Sequence, residues 1–211
     1  MDAVGARVLA DLLAGTAWVE RTRSFARTMR RRTDAPGGLL LVGPPDAEPW
    51  HLTAHLDEEA QAAGIAELAP TLVKWVPDPT AAHLSVGMSR LAATRRGETV
   101  VVVAEQAAPE GLLERVADAR RHGATVLAMD GGDPDLEDLA HESIVVASGP
   151  LDEELVVVHD DLVVPPVSLD TVQHLVSVAA GDVAAAGRRG MRDRLAQLLD
   201  TVSGPAPTRG R

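Results

Sequence analysis

The chain contains no cysteine and no tyrosine, one phenylalanine, three tryptophans and, among its 20 basic residues, a single lysine, Lys74. Without cysteine there are no disulfides, no thiolate nucleophile and no cysteine-ligated zinc. With so few aromatics, a core has to be built from Val, Leu and Ala. No apolar run approaches the ~20 residues of a membrane span. The first residues also lack the basic-then-apolar pattern of a secretory leader. These absences point to a soluble, cytoplasmic protein. Positive charge is short as well: 31 acidic residues give a formal charge of −11, which repels nucleic acid and anionic lipid. The cluster Arg27, Arg30, Arg31 and Arg32 is a local exception. It sits near the end of a predicted helix, where cations complement the helix dipole.

What is present is enough for a real core. A hydrophobic share of 45% in 211 residues suits one domain with an added helical arm. Helical spacing runs over 4–32, with Val8, Leu12, Val19, Phe25 and Met29 as inward positions. "TDAPGG" stops that helix. Strands are then expected at 39–42, 71–76, 99–103, 124–129 and 143–147. Helices are expected at 49–63, 82–95, 109–122 and 134–141. An edge strand or hairpin is predicted within 154–166. Helix returns from Ser168 to about Ala186, with Leu169, Val172, Leu175, Val176 and Ala179 in one stripe, and a last helix covers 191–202. The division expected is an arm at 1–34, an α/β domain at 35–203 and a disordered tail at 204–211.

Strands that are apolar throughout, rather than alternating, belong to a parallel sheet covered on both faces. Three helices open on proline, in "EPWHL", "APEGLL" and "DPDLEDL", where the missing N–H costs nothing. The fold class predicted is a three-layer α/β/α sandwich with a five-stranded parallel sheet, its ligand site outside the carboxyl ends of the strands.

Candidate chemistry gathers at those ends. The first strand stops at Gly43, and the loop "GPPDAEP" leads into a helix carrying His51, His55 and Glu59 at i, i+4 and i+8, on one face. Glu59 is the candidate base and either histidine a candidate acid. His51 and His55 also have the spacing of a two-histidine metal pair, but the reading takes no metal and no cofactor. Glu105 and Gln106 end the most apolar strand, so their side chains belong at the site mouth.

The stretch "RRGETVVVVAEQAAPEGLLERVADARRHGATVLAMDGG" (95–132) and the helix "HLTAHLDEE" together resemble the sugar isomerase (SIS) domain family. The likeness is to its small single-domain members of the sedoheptulose 7-phosphate isomerase type. It covers roughly 4–186 as pattern rather than identity. The resemblance implies proton transfer next to the carbonyl of an (amino)sugar phosphate, ending in isomerisation or in loss of water. The latter is the outcome in family members that act as N-acetylglucosamine 6-phosphate dehydratases. A sugar-phosphate sensor without turnover is the alternative. The resemblance also brings in the C-terminal helix, with His174 as a catalytic candidate and Asp170 as a substrate contact. The loops after the first and third strands depart from the family, being acidic or without hydroxyls. Either the phosphate is therefore held by Ser85, Ser89, Arg90 or a partner chain, or the ligand differs. A homodimer or homotetramer is expected from the length of the first helix.

Overall fold

In the computed structural model the residues described are 16–77, 80, 85–146, 157–159, 162–164 and 167–182. The order is α1 (Ala17–Arg32), β1 (Leu39–Val42), α2 (Trp50–Ala63), β2 (Pro70–Lys74), β3 (Ser85–Gly87), α3 (Ser89–Ala92), β4 (Thr99–Ala104), α4 (Glu110–Arg121), β5 (Thr125–Asp130), α5 (Pro134–Leu139), β6 (Glu142–Val145), β7 (Val157–His159) and β8 (Leu162–Val164). A last helix, α6, covers 169–182. Val8, Leu12, the helix expected at 191–202 and the tail at 204–211 lie outside the described residues.

The main sheet has six strands in the order β3-β2-β1-β4-β5-β6, every pairing parallel. Side chains alternate between its faces. Leu39, Leu41, Val101, Val103, Leu127 and Met129 enter one core, with α1, α2 and α6. Leu40, Val42, Val100, Val102, Val126 and Ala128 enter the other, with α3, α4 and α5. Both faces are dry, which is why these strands are apolar at every position. β7 and β8 pair antiparallel as a separate hairpin.

The expected count of five strands is corrected to six. Where one helix was predicted over 82–95, the chain makes β3 at the sheet edge and then the four-residue α3. Ser85–Gly87 pairs along β2 at Leu72–Lys74. The ladder bonds of that edge outweigh the weak helical spacing around Val86 and Gly87.

The helices that position the candidate site follow simple rules. In α2, Leu52, Leu56, Ala60 and Ala63 form the buried stripe, and Gly64 ends the helix in the left-handed conformation at φ 63°. In α6 the buried stripe includes Leu169, Val172, Leu175, Val176 and Ala179. α5 is capped by Asp133, whose Oδ1 accepts the N–H groups of Asp135 and Leu136. The other oxygen of Asp133 accepts the Ala108 N–H, which ties the loop after β4 to the loop after β5.

Candidate functional site

The chain runs outward from β1 through β2 to β3, then crosses back to lay β4 on the other side of β1. The loops leaving β1 and β4 therefore diverge, and open α/β sheets form their ligand crevice at such a point. A cleft of about 240 Å³ lies there, lined by Ala47, Glu48, Pro49, His51, Val103, Glu105, Ser168, Leu169, Asp170 and Gln173. Its walls come from the loop after β1 with the first turn of α2, from the end of β4, and from the first turns of α6. Two helix N-termini thus open on one cleft, and the positive ends of their dipoles favour negative charge there.

Gly43 does not line the cleft but lets two of its walls, at Ala47 and Val103, come together. A Cβ on Gly43 would stand 2.5 Å from the Ala47 carbonyl oxygen and 2.8 Å from that of Val103. Only glycine lets the β1 loop turn this close to β4. The Gly43 carbonyl accepts the Trp75 indole N–H at 2.8 Å. Glu48, on the same loop, accepts the Trp75 backbone N–H at 3.1 Å and pairs with Lys74 at 3.2 Å. The only lysine of the chain therefore neutralises one of the acids at the cleft lip. Glu48 and Lys74 were not singled out from the sequence. The available signal was the sole lysine, placed at the end of the strand beside an acidic loop.

The cleft brings together His51, Glu105 and Asp170 from the sequence candidates, along with Gln173. His51 and Glu105 are exposed to solvent within it. Asp170 is open too, and its Oδ2 lies 3.5 Å from His174 Nε2. Ser168 caps α6: its Oγ accepts the Thr171 N–H at 3.1 Å and bonds the Thr171 hydroxyl at 2.9 Å.

His55, Glu59 and His174 lie deeper, in the seam between α2 and α6, and do not line the cleft. The His55 and His174 rings meet edge to face with centroids 4.7 Å apart. His55 Nδ1 is 3.6 Å from Glu58. His174 is buried, and burial lowers its imidazole below the usual range; the Asp170 carboxylate opposes that, and His55 and His51 reinforce it. Glu59 lies against Gly181, where a Cβ would collide with its carboxylate. Eight residues at 1.5 Å each place it about 12 Å along the helix axis from His51. A base must reach the carbon it deprotonates, and that position leaves Glu59 too far from the cleft.

The proposed phosphate contacts are elsewhere too. Ser85 is buried inside the edge strand β3, and Ser89 is exposed on α3. Arg90 donates to both carboxylate oxygens of Glu98 at 2.6 and 3.2 Å, and to the Gly37 carbonyl at 3.3 Å. Glu98 precedes β4 and Gly37 precedes β1, so this guanidinium is held at the opposite rim of the sheet. Burial raises the Glu98 carboxyl, but the bonds from Arg90 and the Arg95 N–H with the two arginine charges outweigh it and lower the group overall. Gln106 is exposed and does not line the cleft.

Asp130, at the end of β5, makes a turn: its Oδ1 accepts the N–H groups of Gly132 and Asp133. Burial pushes its carboxyl above the usual range against those two bonds. The Nδ1 of His141 accepts the Val126 N–H at 3.0 Å, a structural role. Among the described residues no group of three His, Asp or Glu side chains is placed to hold a metal ion, and no helix is long and apolar enough to cross a membrane.

No protein-family model matches the chain, and no curated protein matches it. Among solved structures, it is similar to the sugar isomerase domain of an RpiR transcription factor from Sphaerobacter thermophilus: 17% identity, 82% of this chain, 86% of that one, TM-score 0.49. It is also similar to the Vibrio vulnificus NanR protein complexed with ManNAc-6P, at 12% identity over 95% of this chain and 69% of that one, TM-score 0.48. A phosphoheptose isomerase from Francisella tularensis matches at 12% identity over 87% and 92%, TM-score 0.41. Of three further matches the chain spans about half the length, 43%, 48% and 50%. At such distances the matches by themselves assign neither activity nor ligand.

Proposed function

We propose that the cleft binds a phosphorylated sugar, including aminosugar 6-phosphates, and moves the proton next to its carbonyl. The observation that carries this reading is that Glu105 and the imidazole of His51 line the same cleft, on which two helix N-termini open. The helix ends suit the phosphate. In open-chain sugar, Glu105 takes the proton from the carbon next to the carbonyl, and the freed electron pair moves toward the carbonyl oxygen. His51 then gives that oxygen a proton. Isomerisation is completed when Glu105 returns the proton to the former carbonyl carbon and the hydroxyl on the deprotonated carbon gives its proton back to His51, becoming the new carbonyl. Dehydration is completed instead when the Glu105 proton goes to the hydroxyl on the next carbon, which leaves as water, while the enol O–H proton returns to His51. Glu105 replaces Glu59 as the proposed base because it lines the cleft.

The test is incubation with a panel of hexose and aminosugar 6-phosphates in D₂O, following deuterium at the carbon next to the carbonyl by NMR and loss of water by mass. Exchange that disappears in Glu105→Gln is the expected result. Absence of exchange and of thermal shift with every sugar would overturn the proposal. A second reading, a sensor without turnover, is favoured by one observation: the sole hydroxyl among the described residues of the cleft lining, Ser168, is already committed to capping α6. A thermal shift without exchange would select it. Under either reading the chain is proposed to act as a homodimer or homotetramer, which size exclusion tests.

A further inference from the structure

Aromatic rings are rare in this chain, and two of its ring systems meet at the cleft mouth. Trp50 opens α2 with 58% of its surface exposed, although the other two tryptophans are buried or half-buried. Its indole lies on the His51 imidazole with centroids 3.4 Å apart and planes at 30°. Neighbours at i and i+1 on a helix ordinarily point about 100° apart and do not face each other. Here both side chains are turned together at the first turn. The Trp50 backbone N–H bonds the Glu48 carbonyl at 2.8 Å, which fixes the residue to the loop that Lys74 anchors.

We infer that Trp50 is a positioning residue: its indole clamps the His51 ring in one orientation, with an edge presented to the cleft. Stacked aromatic pairs resist rotation out of contact. The clamp gives His51 its alignment before a ligand arrives and shields one face of the ring from water. A proton-transferring imidazole gains from being held so, because alignment is otherwise achieved at the expense of entropy in each turnover. The exposed position of an indole in a chain so poor in aromatics is explained by this contact. The inference rests on the proposed role of His51 for its catalytic meaning, but the clamp itself is a property of the free protein.

The test uses the full chain as wild type, Trp50→Phe, Trp50→Ala and His51→Gln. A ring stacked on indole has its protons shifted upfield. The His51 ring signals, assigned by their loss in His51→Gln, are expected upfield in wild type, partly so in Trp50→Phe and at ordinary positions in Trp50→Ala. Ordinary positions in wild type overturn the clamp. Where deuterium exchange into a sugar phosphate is measured, Trp50→Ala lowers the rate constant by on the order of tenfold with KM unchanged, less than the 10²–10⁴-fold contribution of a whole acid or base, and Trp50→Phe restores most of it. An equal fall in both tryptophan variants, or a change in KM alone, overturns the positioning role. A wild type with upfield His51 signals and no exchange leaves the clamp standing and removes the catalytic reading.

Discussion

Replacing Lys74 with methionine tests how the cleft tolerates its own acidity. Lys74 Nζ lies 3.2 Å from Glu48 Oε2, with side chains 32% and 16% exposed. At an effective dielectric of about 20, charges at that distance attract by about 5 kcal/mol before desolvation is subtracted. Exposed pairs retain about 0–1 kcal/mol of this, whereas breaking buried ones costs about 3–5 kcal/mol. The partial burial here places the loss at about 1–2 kcal/mol. For a chain of this size each kcal/mol moves Tm by about 2–4 °C, so Lys74→Met should melt about 2–8 °C lower. The double variant Lys74→Met, Glu48→Gln should recover much of that loss, since no unpaired charge is left and the amide oxygen still accepts the Trp75 N–H. Thermal melts of wild type, Lys74→Met, Glu48→Gln and the double variant at low and high salt measure the coupling. If Lys74→Met melts like wild type, or if the double variant melts no higher than the single one, the loop is not held by this pair.

Glu105→Gln should lower exchange by 10²-fold or more, whereas Glu59→Gln, about 12 Å down the helix, should leave it within a few-fold; steady-state rates of both variants decide between the two carboxylates. Gly43→Ala forces a methyl group against two carbonyl oxygens and should cost about 1–3 kcal/mol, read as a lower urea midpoint at unchanged slope. The buried His174 binds its proton less readily when folded than when unfolded. Its share of stability is therefore complete above the unfolded value of about 6.5 and declines as pH falls from there toward the folded value, so melts in wild type should steepen in pH dependence below about 6.5 relative to His174→Gln.

Much of the sheet was legible because its signals are local. Strands apolar at every position imply two covered faces, and proline at helix starts marks the strand-to-helix corners. The edge strand at Ser85–Gly87 was not legible: three residues with one β-branched side chain carry no period, and only the ladder along Leu72–Lys74 reveals them. At the site, Glu105 and His51 could be placed from their positions just past a strand and just inside a helix. Spacing alone put His55 and Glu59 on the same face as His51, but a shared face does not say how far down the axis the ligand reaches. Arg90 misled for a related reason. Its side chain is long enough to reach Glu98 at the far rim, and that partner cannot be seen from the helix it sits on. The Glu48–Lys74 pair joins segments that only the β1–β2 alignment brings together.

The walls of the cleft are contributed by segments near 47–51, 103–105 and 168–173, so one jaw belongs to a helix more than a hundred residues further along the chain than the first. Whatever occupies the cleft must therefore act as a clasp between early and late parts of the chain. Its binding energy is available to resist peeling of 169–182 from the sheet, and slower amide exchange along that helix should be the first sign of occupancy.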